Sequence, residues 1–140
     1  MLKLKPISSS ILALGGLLLM AMGIYFIILR SPLLPEDLRY MQSTAASIQN
    51  NVAGLSAWLQ KIFWVMGSYI FTSGLLIIFI ALTSFRKRLP GTFIIVALAG
   101  ITSIGLMTVV NFIIDSDFKW LLFIFTLPWA MALILYQLHK

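Results

Sequence analysis

Residues 7–29, ISSSILALGGLLLMAMGIYFIIL, run for more than twenty positions without a charged side chain. A helix of that length, rising 1.5 Å per residue, crosses about 30 Å of hydrocarbon. A lone strand is excluded, because in lipid its backbone groups would stay unpaired. Lys3 and Lys5 precede the stretch and Arg30-Ser31-Pro32 ends it. A basic start before an apolar core resembles a secretory signal, but this core is too long and no small-x-small cleavage site follows it. It reads as an uncleaved first membrane helix.

Three more apolar runs follow, at about residues 62–85, 89–114 and 118–138, the last with Lys119 alone at its start, each long enough to span. The sequence therefore predicts an all-α integral membrane four-helix bundle, one domain over residues 1–140. A short amphipathic helical segment is expected in the first, outer loop at 30–61. Composition agrees: 61% of the residues are hydrophobic, 10% are charged and the mean hydropathy is +1.03. A soluble domain carries about a quarter of its residues as charge. With no cysteine, thiol catalysis, disulfides and iron–sulfur ligation are excluded.

The net charge of +6 does not point to nucleic acid, because the basic residues flank the apolar runs rather than forming one exposed stripe. With the N-terminus inside, Lys3, Lys5, Arg86, Lys87, Arg88 and Lys140 gather on the inner face. Arg30, Arg39, Lys61 and Lys119 fall outside, with all four acids, Glu36, Asp37, Asp115 and Asp117. The dense Arg86-Lys87-Arg88 triplet in a short loop sets the orientation, with both termini cytoplasmic. Small size and simple topology point to a bacterial inner membrane.

Leu89-Pro90-Gly91 is a turn signal between the second and third spans. Between the third and fourth, Asp115, Ser116 or Asp117 supplies a helix cap. In the outer loop, Pro35-Glu36-Asp37 reads as the first turn of a helix. Beyond it Leu38, Met41, Ala45, Ile48, Val52, Leu55, Leu59 and Ile62 recur at steps of three and four among polar residues. Asn50, Asn51 and Gly54 mark a break before the second span. This stripe, above all Leu38, Met41, Ile48, Val52 and Leu55, is the expected contact for a membrane partner or for lipid. It also serves as a lid if it folds back on the bundle.

None of the four runs carries an ionisable residue at its centre, so proton-coupled transport through a buried carboxylate has no candidate. His139 stands alone near the chain end, which excludes bis-histidine haem. The acids lack the pattern of a calcium loop, so capping and ion pairs to Arg30, Arg39 or Lys119 are expected, with no metal and no cofactor. Asn111, with Met107 nearby and Pro128 in the fourth span, marks a helix-packing or ligand position. An amide bonds across helices, and a mid-helix proline frees a carbonyl. Trp64, Trp120, Phe63 and Tyr25 are expected in an outer aromatic belt, and Phe85, Phe93 and Tyr136 in an inner one. Glycines 15, 16, 23, 67, 74, 100 and 105 offer close helix contacts.

The organisation is broadly similar to that of small four-helix bacterial inner-membrane proteins such as the DoxX-like type, although no motif assigns a named family. Soluble-enzyme motifs are absent. The expected function is therefore that of a non-enzymatic multi-pass protein, an interaction or accessory subunit docking a partner or lipid through its outer loop. The alternative is a binder or transporter of a small apolar or lipid-like molecule within the bundle, with methionines as adaptable lining.

Overall fold

The computed structural model describes residues 4–138, and no strand occurs among them. Lys3 and Lys140, which carry part of the charge asymmetry, lie outside the described residues, as does His139. Helix α1 (Leu4–Ile24) continues through a π turn, Tyr25–Leu29. Two short helices follow, α2 (Pro35–Tyr40) and α3 (Ala45–Asn51). Helix α4 (Leu55–Ile80) ends in a second π turn, Ala81–Phe85. Helix α5 covers Thr92–Ile113 with a third π turn, Ile101–Gly105, at its middle, and α6 covers Lys119–Leu138.

Four helices are thus long and apolar enough to cross a membrane, over Ile7–Leu29, Leu55–Phe85, Thr92–Ile113 and Lys119–Leu138. The second begins about two turns earlier than the charge pattern predicts. Lys61 ends the uncharged run, but it does not end the helix. The last break is at Val52–Gly54, where Val52 leaves helical geometry at φ −140°.

Local chemistry places the short helices. Pro35 occupies the first turn of α2, where its missing N–H removes no helical bond. The Asp37 carboxylate accepts the Leu34 N–H at 2.9 Å. Thr44 caps α3 by accepting the Ser47 N–H at 3.1 Å. The expected amphipathic stripe does not continue through this loop as one helix. It is cut at Met41–Thr44, where Gln42 takes a positive φ of 50°, and again before Gly54.

Helices α1 and α4 cross antiparallel at two glycine pairs. A Cβ on Gly23 would lie 2.7 Å from the Gly67 carbonyl oxygen, and one on Gly16 would lie 2.8 Å from that of Gly74. One heptad separates the pairs on each helix, so both fall on a single seam. The two backbones touch where any side chain would part them. The Ser9 hydroxyl tightens the same pair by donating to the Ala81 carbonyl in the π turn.

Helix α1 also packs on α6, and α6 on α5, while α5 meets α4 mainly through the π turn Ala81–Phe85. Trp129 of α6 is wedged in the middle. It is 3% exposed, faces Gly15 and Gly100, and donates its indole N–H to the Val96 carbonyl at 2.9 Å. Tyr136 stacks on Phe85 at 4.5 Å and on Phe93 at 5.7 Å between ring centres. Phe85 and Tyr136 are buried, so these two are core residues rather than members of a belt. With Leu12, Val96 and Ala132 they fill the half of the bundle nearest the Arg86–Gly91 turn, called the terminal side below. Elsewhere large apolar side chains, among them Ile28, Phe79, Ile101 and Ile134, cover the surface. That surface suits lipid and not water.

Candidate functional site

The opposite half of the bundle, the loop side, is not filled. A cavity of about 620 Å³ lies there, inside the range of small-molecule sites. Its walls are the loop-side halves of all four long helices, including Met22, Tyr25 and Phe26 from α1 and Phe63 and Met66 from α4. Helix α5 supplies Thr102, Ser103, Leu106, Met107, Val110 and Asn111, and α6 supplies Leu121, Leu122 and Phe125. Because α4 and α5 pack together mainly at the terminal side, they stand as two walls with little contact between them beside the cavity.

Two of the three π turns border this space. Tyr25–Leu29 carries Tyr25 and Phe26 into the wall, and Ile101–Gly105 carries Thr102 and Ser103. A π turn widens the helix by one residue and disturbs its bonding ladder. In α5 the hydroxyl of Thr102 donates to the Leu98 carbonyl at 2.8 Å, and that of Ser103 to the Ala99 carbonyl, so both stay bonded within their own helix.

The polar end of the cavity is built by α2 and by the turn between α5 and α6. Leu34, Glu36 and Asp37 line it from above, with Arg30 and Ser116. Arg30 pairs with Asp37 at 3.3 Å, donates to the Ser31 carbonyl at 2.8 Å, and lies 3.9 Å from the Phe63 ring centre. Glu36 is 3% exposed and accepts a hydrogen bond from the Ser116 hydroxyl at 3.3 Å. The Ser116 oxygen also accepts the Phe118 N–H at 3.1 Å, which starts α6 as the expected cap.

Further out, Arg39 of α2 pairs with Asp117 at 2.7 Å and Lys119 pairs with Asp115. The Asp117 carboxylate raises the pKa of Arg39, and the Lys119 ammonium lowers that of Asp115. Both pairs are exposed and contribute little stability, but Arg39–Asp117 and Glu36–Ser116 together tie α2 across the end of the α5–α6 hairpin.

The residues singled out in the sequence are distributed unevenly about this site. Met107 and Asn111 line the cavity. The Asn111 amide donates to the Met107 carbonyl of its own helix at 2.9 Å rather than across to a neighbour. Pro128 is half-buried on α6 beside Gly15 and is not among the lining residues. The stripe is split: Ile48 is buried, Leu38 and Leu55 are half-buried, and Met41 and Val52 are exposed. Met41 borders a second hollow of about 330 Å³ under α2, which shares Asp37, Phe63 and Ile114 with the main cavity. Arg30 was legible as an orientation charge and an ion-pair partner, and Glu36 as a helix start. Their role at the cavity depends on how α2 folds back, which periodicity does not encode.

No family model matches the chain, and neither a curated protein nor a solved structure matches it.

Proposed function

We propose that this chain is a non-enzymatic multi-pass membrane protein that binds a small apolar or lipid-like molecule in the loop-side cavity. The observation that carries this reading is the cavity itself, apolar along the helices, polar at one end, and flanked by α4 and α5, which meet mainly at the far side of the bundle. That gradient matches an amphiphile entering from a bilayer with its head at the interface and its tail inward. The filled terminal half favours a protein that holds or presents its ligand over one that conducts it. On this reading both termini and the Arg86-Lys87-Arg88 turn face the cytoplasm of a bacterial inner membrane, in keeping with the positive-inside rule.

The test is native mass spectrometry of the full chain extracted gently from its own membrane. A reproducible added mass that survives delipidation is expected, and Met107→Trp, which places an indole in the cavity, is expected to remove it. A bare monomer under every extraction condition overturns the reading.

A second reading, an accessory subunit docking a membrane partner through residues 30–61, draws on Tyr40, Met41, Val52 and Trp58, which remain exposed on that segment. Under it, Met41→Ser with Val52→Ser releases a co-purifying protein and leaves any small added mass in place.

A further inference from the structure

We propose that the polar end of the cavity recognises a protonated amine head group, with the Glu36 carboxylate as acceptor, so that the occupant is a single-chain cationic amphiphile. The proposal rests on reading the cavity as a ligand site, and adds the charge and shape of what it holds.

The four acids of the chain are not equivalent. Asp37, Asp115 and Asp117 each face a basic side chain, Arg30, Lys119 and Arg39 respectively. Glu36 is in no ion pair among the described residues, although it is far more buried than the other three. Its hydrogen bond from Ser116 is long for a hydroxyl donor at 3.3 Å. A carboxylate offers about four acceptor positions, and one hydroxyl leaves most of them unused. Glu36 lines the cavity, so those positions are available to an occupant more than to solvent. The cation that acts on Glu36, Arg39, is paired with Asp117 and makes no direct bond to Glu36. A buried carboxylate with no cation bonded to it is costly, and a cationic head group offsets that cost.

Charge balance and ring placement agree. The charged side chains lining the cavity are Arg30 against Glu36 and Asp37, one cation against two acids. Arg30 is already engaged by Asp37, the Ser31 carbonyl and the Phe63 face, and Arg39 by Asp117. An anionic head group would find acids and a guanidinium whose partners are already in place. Tyr25 and Phe118, 6.3 Å apart between ring centres, line the same end, and aromatic faces attract cations. Size limits the tail. Counting a methylene as the equal of a water, about 30 Å³ in the liquid, the 620 Å³ cavity holds about twenty such groups. That is room for one chain.

Dodecylamine, dodecanol and dodecanoate share one tail and differ only in head group. Titrated into the full-length protein in non-ionic detergent and read by native mass spectrometry, dodecylamine should bind about tenfold more tightly than dodecanol, and dodecanoate more weakly than either. Glu36→Gln should bring dodecylamine to within about twofold of dodecanol. Ser116→Ala, which removes the competing hydroxyl and keeps the carboxylate, should preserve the amine preference and serves if Glu36→Gln does not fold. Dodecanoate binding as well as the amine in the wild-type protein overturns the proposal. So does an amine preference that survives in folded Glu36→Gln or is lost in folded Ser116→Ala. All three probes binding equally removes the head-group assignment alone, whereas no binding by any of them removes the ligand cavity as well.

Discussion

At the scale of single residues, the cavity is a place where side chains are bonded close to home. Asn111 shows it most directly, since its amide is satisfied by the Met107 carbonyl of the same helix while its side chain borders the empty space. Had it tied two helices together, its loss would disturb the bundle. A local bond of this kind carries little packing energy, and even interhelical bonds in membranes average only about 0.6 kcal/mol. Asn111→Ala is therefore expected to leave thermal stability within about 1 kcal/mol of wild type and to weaken ligand binding several-fold. Paired thermal-shift and ligand titrations check this, and an equal loss in both makes Asn111 a packing residue. The contrast with Trp129 is instructive. That indole bonds the Val96 carbonyl across helices and sits against two glycines, and it anchors the filled half of the bundle.

At the scale of elements, the α1–α4 seam decides which helices are held together and which are left apart. Gly23 and Gly67 bring two backbones so close that a single added carbon on either would meet the carbonyl oxygen of the other at 2.7 Å. Gly23→Ala is expected to destabilise the protein by about 1–3 kcal/mol, the usual cost of overfilling a close contact. The double variant with Gly67→Ala should cost less than the sum of the two singles, because the first substitution already parts the helices at the contact that the second would overfill. Gly54→Ala is the internal control: nothing lies within 4 Å of its added carbon and its φ is −88°. It should be neutral or stabilising by a few tenths of a kcal/mol. Thermal unfolding of the four variants in one detergent checks all of these values together. The seam also marks how far the sequence can be read. The four long apolar helices and the packing role of Gly16, Gly23, Gly67 and Gly74 follow from charge-free length and small-residue spacing. The π turns do not, because no local pattern separates Ile101–Gly105 from an ordinary turn. The sparse contact between α4 and α5 is equally hidden, since it depends on which neighbours α1 and α6 choose. The periodic stripe after Leu38 misleads for a related reason: period alone cannot register the positive φ at Gln42, whereas Asn50, Asn51 and Gly54 do mark the later break at Val52–Gly54.

At the scale of the whole molecule, the distribution of tryptophan ties the two unlike halves to a position in the bilayer. Trp58, Trp64 and Trp120 are exposed near the loop-side ends of α4 and α6, and Lys61 lies 3.7 Å above the Trp64 ring. Such rings settle at the head-group level, where one edge is wet and the other apolar. Trp129 lies deeper along α6 and is shielded on all sides. If the polar end of the cavity sits at the interface, as entry of a single-chain amphiphile from the bilayer requires, three of the four indoles lie shallow and the fourth is out of reach of lipid. In vesicles whose acyl chains carry bromine near the head group, most of the tryptophan emission should be quenched. Bromine near the chain ends should quench much less, and the emission that survives both should disappear in Trp129→Phe. Stronger quenching from the chain ends would place the loop-side ends of α4 and α6 at the bilayer centre and remove the route from head-group depth to Glu36. Because the shallow-to-deep comparison is made on the wild-type protein, it holds even if Trp129→Phe fails to fold.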